Sequence, residues 1–136
     1  MAYKFLEHEA DVGILGIGET LEESFQESAK AMFEIMFNIK EIKQIKEITI
    51  ELSADSQENL FIKFLNELIA QADIQELIFS EFKVKIDNLT LTCTAKGDSF
   101  NLNKYEIKTE VKAATYSGLK LYKKENKYYS QCVLDV

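Results

Sequence analysis

The stretch Phe82-Lys83-Val84-Lys85-Ile86-Asp87-Asn88-Leu89-Thr90-Leu91-Thr92-Cys93-Thr94-Ala95 decides the fold class. Phe82, Val84 and Ile86 alternate with Lys83 and Lys85, Asp87-Asn88 turns the chain, and Leu89, Leu91, Cys93 and Ala95 resume the alternation. Side chains two residues apart share one face of a pleated strand, so this stretch predicts an antiparallel hairpin with one buried face. Gly97-Asp98 closes its second strand. Further on, Ile107, Thr109, Val111 and Ala113 alternate with Lys108, Glu110 and Lys112 and predict another strand. Leu119 to Tyr122 and Tyr128 to Val136, flanking the polar turn Lys123 to Lys127, predict a second hairpin.

Upstream of the hairpins the period changes. Thr20 is placed to cap a helix, with Glu23 three residues on to return a bond to the cap backbone. Leu21, Phe25, Ala29, Met32, Phe33 and Met36 then recur at helical spacing, predicting a helix to about Phe37, with Asn38 as the exit. This Met and Phe stripe is a core face. A second helix is capped by Asp55 or Ser56 and carries Leu60, Phe61, Phe64, Leu65, Leu68 and Ile69 as far as Ala72. Between the helices, Ile48, Ile50 and Leu52 alternate with Glu47, Thr49 and Glu51, a half-buried strand, and Lys40 to Lys46 reads as a solvated connection. The glycine-punctuated apolar run Val12 to Gly18 supplies the leading strand. The order strand, helix, strand, helix, then β-hairpins specifies an α+β fold: two amphipathic helices packed on a mostly antiparallel β-sheet. At 136 residues, with no linker composition and no internal repeat, residues 1–136 form one domain.

Charge narrows the function. A net charge of −7 and a pI near 4.8 offer no basic stripe for strong binding to nucleic acid, so proteins, cations or small molecules are the expected partners. Cys93 and Cys132 sit in alternating apolar runs, and no signal peptide or long apolar span is evident, which together predict a reduced, cytoplasmic protein without a membrane partner.

Two short segments carry potential chemistry. The chain's last strand runs into Leu134-Asp135-Val136, setting a carboxylate beside the terminal one, and His8-Glu9-Ala10-Asp11 precedes the leading strand. If the segments meet, they form an oxygen-rich site suited to Ca²⁺, Mg²⁺ or Mn²⁺, because close carboxylates repel unless a cation or proton relieves them. A solvated strand end at Asp135 and a turn residue at Asp11 is an equally open reading. His8, the sole histidine, serves either in acid-base chemistry or, the role favoured here, as an orienting group hydrogen-bonded to the backbone. Gly13, Gly16 and Gly18 match no phosphate-loop spacing. On residues alone, a metal-dependent hydrolase with Asp11 and Asp135 as ligands and His8 as base stands beside a non-catalytic helper.

His8-Glu9-Ala10-Asp11-Val12-Gly13, Leu21-Glu22-Glu23-Ser24-Phe25, Phe64-Leu65-Asn66-Glu67-Leu68, Val111-Lys112-Ala113-Ala114-Thr115-Tyr116 and Leu134-Asp135-Val136, in this order along the whole chain, resemble the archease family. The resemblance implies a metal-binding accessory protein, not an enzyme, that activates an RtcB-type RNA ligase in tRNA splicing. It would promote guanylylation of the ligase by GTP and multiple turnover. It places the metal ligands on Asp11, Asp135 and Val136, for a divalent cation with Ca²⁺ first and Mg²⁺ or Mn²⁺ as alternatives, with His8 in support. It also places usually basic, partner-facing positions on Lys104 and Lys112. The chain departs from the family pattern at Glu9, where Thr is usual, at Asp98, where Glu is usual, and at Tyr105, often His. Tyr105 cannot replace an imidazole near neutral pH. The acidic balance fits a helper that acts on the ligase and not directly on RNA.

Overall fold

The computed structural model describes residues 1–6, 11–101 and 103–136. The elements are β1 (Ala2–Leu6), β2 (Val12–Gly18), α1 (Leu21–Met36), β3 (Lys46–Ser53), α2 (Gln57–Gln75), β4 (Leu77–Asp87), β5 (Thr90–Ser99), β6 (Ala113–Ala114), β7 (Lys120–Lys124) and β8 (Lys127–Asp135), with a short 3₁₀ turn at Ile39–Glu41. The strands form two antiparallel sheets. One has the order β1-β2-β8-β6, with β7 also paired to β8, and the other the order β3-β5-β4. The α+β expectation holds, with its strands divided between two sheets. No described helix is long and apolar enough to cross a membrane.

Both helices start where the sequence signals them. Thr20 accepts from the Glu23 N–H at 3.0 Å, and Ser56 accepts from the Asn59 N–H at 3.1 Å. The Glu23 carboxylate meets the Met1 ammonium at 3.2 Å, so the cap rests on the Thr20 hydroxyl. α2 runs three residues past Ala72 to Gln75, and Glu76 ends it in the left-handed conformation (φ 52°), its N–H returning to the carbonyls of Ala72 and Asp73. The β7–β8 hairpin turns on Glu125 and Asn126, both at positive φ, the pairing that a two-residue turn between twisted strands requires.

α1 seals one face of the first sheet. The Ser24 and Ser130 hydroxyls lie 2.5 Å apart, and the Ser28 hydroxyl donates to the Ser130 carbonyl at 2.9 Å. Gly16 allows this approach, since a Cβ there would sit 2.1 Å from the Ser24 carbonyl oxygen. One apolar cluster gathers side chains from both helices and both sheets, with Phe25 against Phe61 at 4.9 Å and Phe33 against Phe79 at 5.5 Å between ring centroids.

Four expectations require correction. β1 is an added strand, paired antiparallel to β2 from Ala2↔Ile17 to Leu6↔Gly13. β4 begins at Leu77, five residues before Phe82, and a bulge between Phe79 and Glu81 shifts its register. Ile42, inside the stretch read as a solvated connection, is only 6% exposed and joins the core, because the 3₁₀ turn aims it inward. Finally, the alternating residues 107–113 do not form a strand, and only Ala113–Ala114 pairs, with β8. In the Ala113↔Asp135 register, residues 107–111 run past the end of β8 at Asp135 and have no β8 residue opposite them.

Candidate functional site

The β2–β8 ladder decides whether the two acidic segments meet. Its last couple is Val12↔Leu134. Asp11 lies one residue before it, in a bend, and Asp135 one beyond, so the two acids stand at the same end of the ladder. Leu134 and Cys132 point into the core, at 0% and 1% exposure, so alternation turns the exposed Asp135 to the face away from α1. Asp11 is half-buried, and Val136 packs partly against the core. The Lys112 N–H donates to the Asp135 carbonyl at 2.8 Å and fixes the strand end from its other side.

Asp11, Asp135 and the main-chain oxygen of Val136 are hard oxygen donors, the chemistry of Ca²⁺, Mg²⁺ and Mn²⁺. Among the described residues no group of three or more His, Cys, Asp or Glu side chains converges, and the carboxylates that bear on the site among them are Asp11 and Asp135. Such a set fills only part of the roughly six to eight positions that Ca²⁺ takes. His8 and Glu9 lie outside the described residues.

Asn66 is a residue of the site that the sequence reading quoted without giving it a role. Its carboxamide clasps Ala114 from both ends: Oδ1 accepts from the Ala114 N–H at 2.8 Å and Nδ2 donates to the Ala114 carbonyl at 3.1 Å. The helix thereby supplies β6 with the hydrogen bonds of a missing neighbour strand and holds Ala113 opposite Asp135. A carboxamide among the apolar residues of an amphipathic helix is the signal that points to such a clasp.

The two candidate partner-facing lysines differ. The Lys104 ammonium lies 2.6 Å from Asp98 Oδ2 and over the Tyr105 ring, 5.3 Å from its centroid. The Tyr105 hydroxyl donates to the same oxygen at 2.6 Å and accepts from the Lys43 N–H at 3.3 Å, while Asp98 Oδ1 accepts from the Ser99 N–H at 2.8 Å. The Lys104 bond, then the Tyr105 and Ser99 bonds, hold the Asp98 carboxyl well down, at about 2, and Asp98 holds the Lys104 ammonium up. Two of the departures from the family pattern, Asp98 and Tyr105, are thus hydrogen-bonded to each other, and Tyr105, only 5% exposed, has a structural part. Lys112 is exposed and lines a groove of about 690 Å³ between α1, α2 and residues 107–112. Cys93 and Cys132 are free and buried in different sheets, and burial pushes both thiols up to about 12.

The profile of the Archease protein family (MTH1598/TM1083) matches residues 3–136. A Pyrococcus furiosus protein named "Protein archease" is 39% identical over 98% of each chain. The solution structure of protein 1598 from Methanobacterium thermoautotrophicum superimposes with a TM-score of 0.88 at 32% identity, covering 98% of each chain. The crystal structure of a Thermotoga maritima protein described as "an archease, possible chaperone" shares the fold, with a TM-score of 0.64 at 21% identity over 98% of this chain and 96% of that one.

Proposed function

The chain belongs to the archease family, and from that premise we propose that it is a metal-binding accessory protein of an RtcB-type RNA ligase in tRNA splicing, promoting guanylylation of the ligase by GTP and its multiple turnover. The observation that supports this reading is the Val12↔Leu134 register, with Asp11 and Asp135 next to that couple at the same end of the ladder.

The residues divide the work. Asp11 and Asp135 neutralise a divalent cation, Ca²⁺ in the first instance, and Val136 adds a further oxygen donor. Such a cation supplies a positive charge that screens and orients phosphate oxygens. A donor set this small leaves coordination positions open, so that the ligase or its nucleotide completes the shell. That property suits a helper that acts at another protein's site. The net charge of −7 directs the protein to the ligase and away from the RNA backbone.

The test is a joining reaction with limiting RtcB-type ligase, GTP and 3′-phosphate RNA. Addition of this protein converts a single round into many, and Asp11→Ala or Asp135→Ala removes the effect while leaving the circular dichroism spectrum intact. Unchanged turnover on adding the protein refutes the reading. Joining or hydrolysis by the protein alone restores the enzyme alternative.

A further inference from the structure

The groove lined by Lys112 has a floor, walls and a charged rim. Phe33, Phe37 and Ile78, each buried, form its floor, and half-buried Met36, Ile69 and Phe100 form its walls. Ile107 is 46% exposed at its lip. Asp73, Glu76 and Glu110 set three carboxylates on the rim against the single ammonium of Lys112. A trough that is apolar within and mainly acidic at its rim suits a protein segment carrying apolar and basic side chains.

The backbone along one wall adds an independent observation. Residues 107–112 have the alternating pattern of a strand, yet they join neither sheet. The segment is tied at Lys108, whose N–H donates to the Met36 carbonyl at 2.8 Å, and at Lys112, whose N–H donates to Asp135. Between these ties, Thr109, Glu110 and Val111 make no main-chain hydrogen bond among the described residues. Unpaired main-chain donors and acceptors beside an apolar trough are what an incoming strand pairs with.

We propose that this groove docks an extended segment of the partner protein, in which apolar residues alternate with Lys or Arg, pairing its backbone with residues 109–111 and placing its apolar side chains over Met36, Ile69 and Phe100. The inference rests on the reading that the partner is a protein, the ligase of the preceding subsection. The occupant's charge follows from the rim carboxylates, and its extended form from the unpaired backbone. Because Lys112 links the groove to the Asp135 strand end, an occupied groove holds the partner beside the carboxylates.

The experiment measures binding of the full-length chain to an RtcB-type ligase, together with hydrogen exchange of residues 107–111. Ile107→Asp, and separately the pair Asp73→Lys with Glu110→Lys, are expected to weaken binding by about tenfold or more. Each is expected to leave the thermal midpoint and its response to Ca²⁺ within error of the unmodified chain. Ligase addition is expected to slow exchange at residues 109–111. Binding within twofold for both variants overturns the groove as the docking site. Weakened binding without slowed exchange overturns the extended occupant in favour of a helix or a side-chain-only contact. Failure of the unmodified chain to bind overturns the ligase reading itself, a result that the variants cannot mimic.

Discussion

Asn66 holds both main-chain polar groups of Ala114, accepting from its N–H at 2.8 Å and donating to its carbonyl at 3.1 Å. Two motifs far apart in the sequence, Phe64-Leu65-Asn66-Glu67-Leu68 and Val111-Lys112-Ala113-Ala114-Thr115-Tyr116, are therefore one structural unit. Ala114 is 5% exposed, so no bulk water stands ready to replace the amide. Asn66→Ala leaves a buried donor and a buried acceptor unpaired, a loss of roughly 1–3 kcal/mol in urea denaturation. If the clasp also positions the strand end, Ca²⁺ affinity falls as well. A variant that loses stability alone identifies the clasp as purely structural.

Cation binding gives a prediction of opposite signs. Two carboxylates drawn to one cation repel in its absence, so Asp135→Asn leaves metal-free stability unchanged or raised. Saturating Ca²⁺ raises the stability of the unmodified chain, by about 2.7 kcal/mol at a hundredfold excess over Kd, and leaves Asp11→Asn and Asp135→Asn unmoved. Differential scanning calorimetry with Ca²⁺ and with EDTA checks both halves.

The Asp98 cluster sets an acid limit. Its carboxyl is held at about 2 in the folded chain, against roughly 3.9 when unfolded. A depressed folded value contributes stability that is full above about pH 4 and is lost as pH falls toward 2. Tyr105→Phe removes the 2.6 Å bond to Asp98 Oδ2 and the acceptor for the Lys43 N–H, so the Asp98 carboxyl rises and the acid-unfolding midpoint moves to higher pH. A circular dichroism titration from pH 5 to pH 2 reads the shift, and an unchanged midpoint removes this cluster from the acid response.

Gly16→Ala tests the contact between α1 and β2. The added methyl meets the Ser24 carbonyl and the Ser28 amide and hydroxyl, all within 2.5 Å, so the helix must lift from the sheet. The expected cost is about 3 kcal/mol, at the upper end for overpacking. Denaturant unfolding measures it.

The thiols predict silence. Cys93 is 0% and Cys132 1% exposed, so an aromatic disulfide reagent at pH 8 modifies neither thiol until denaturant is added. Modification of the native chain on the timescale of a free thiol contradicts this burial.

What the sequence determined by itself was local. Thr20 and Ser56 cap their helices because a hydroxyl reaches an N–H three residues on, β3 lies where alternation placed it, and β5, β7 and β8 cover the expected strands, with the last turn narrowed from Lys123–Lys127 to Glu125–Asn126. Those choices involve neighbours along the chain, and period, cap and turn chemistry encode them. Asp11 and Asp135 were legible as candidates for the same reason, each being an acid at a strand boundary. Tertiary structure alone decided their register, because Val12↔Leu134 pairs opposite ends of the chain through sheet hydrogen bonds that no local pattern specifies. It also overruled a clear local signal at residues 107–113. Strand formation needs a partner opposite as well as alternation, and the Ala113↔Asp135 register carries residues 107–111 past the end of β8. The segment instead stretches from Met36 to Asp135 and forms the groove wall.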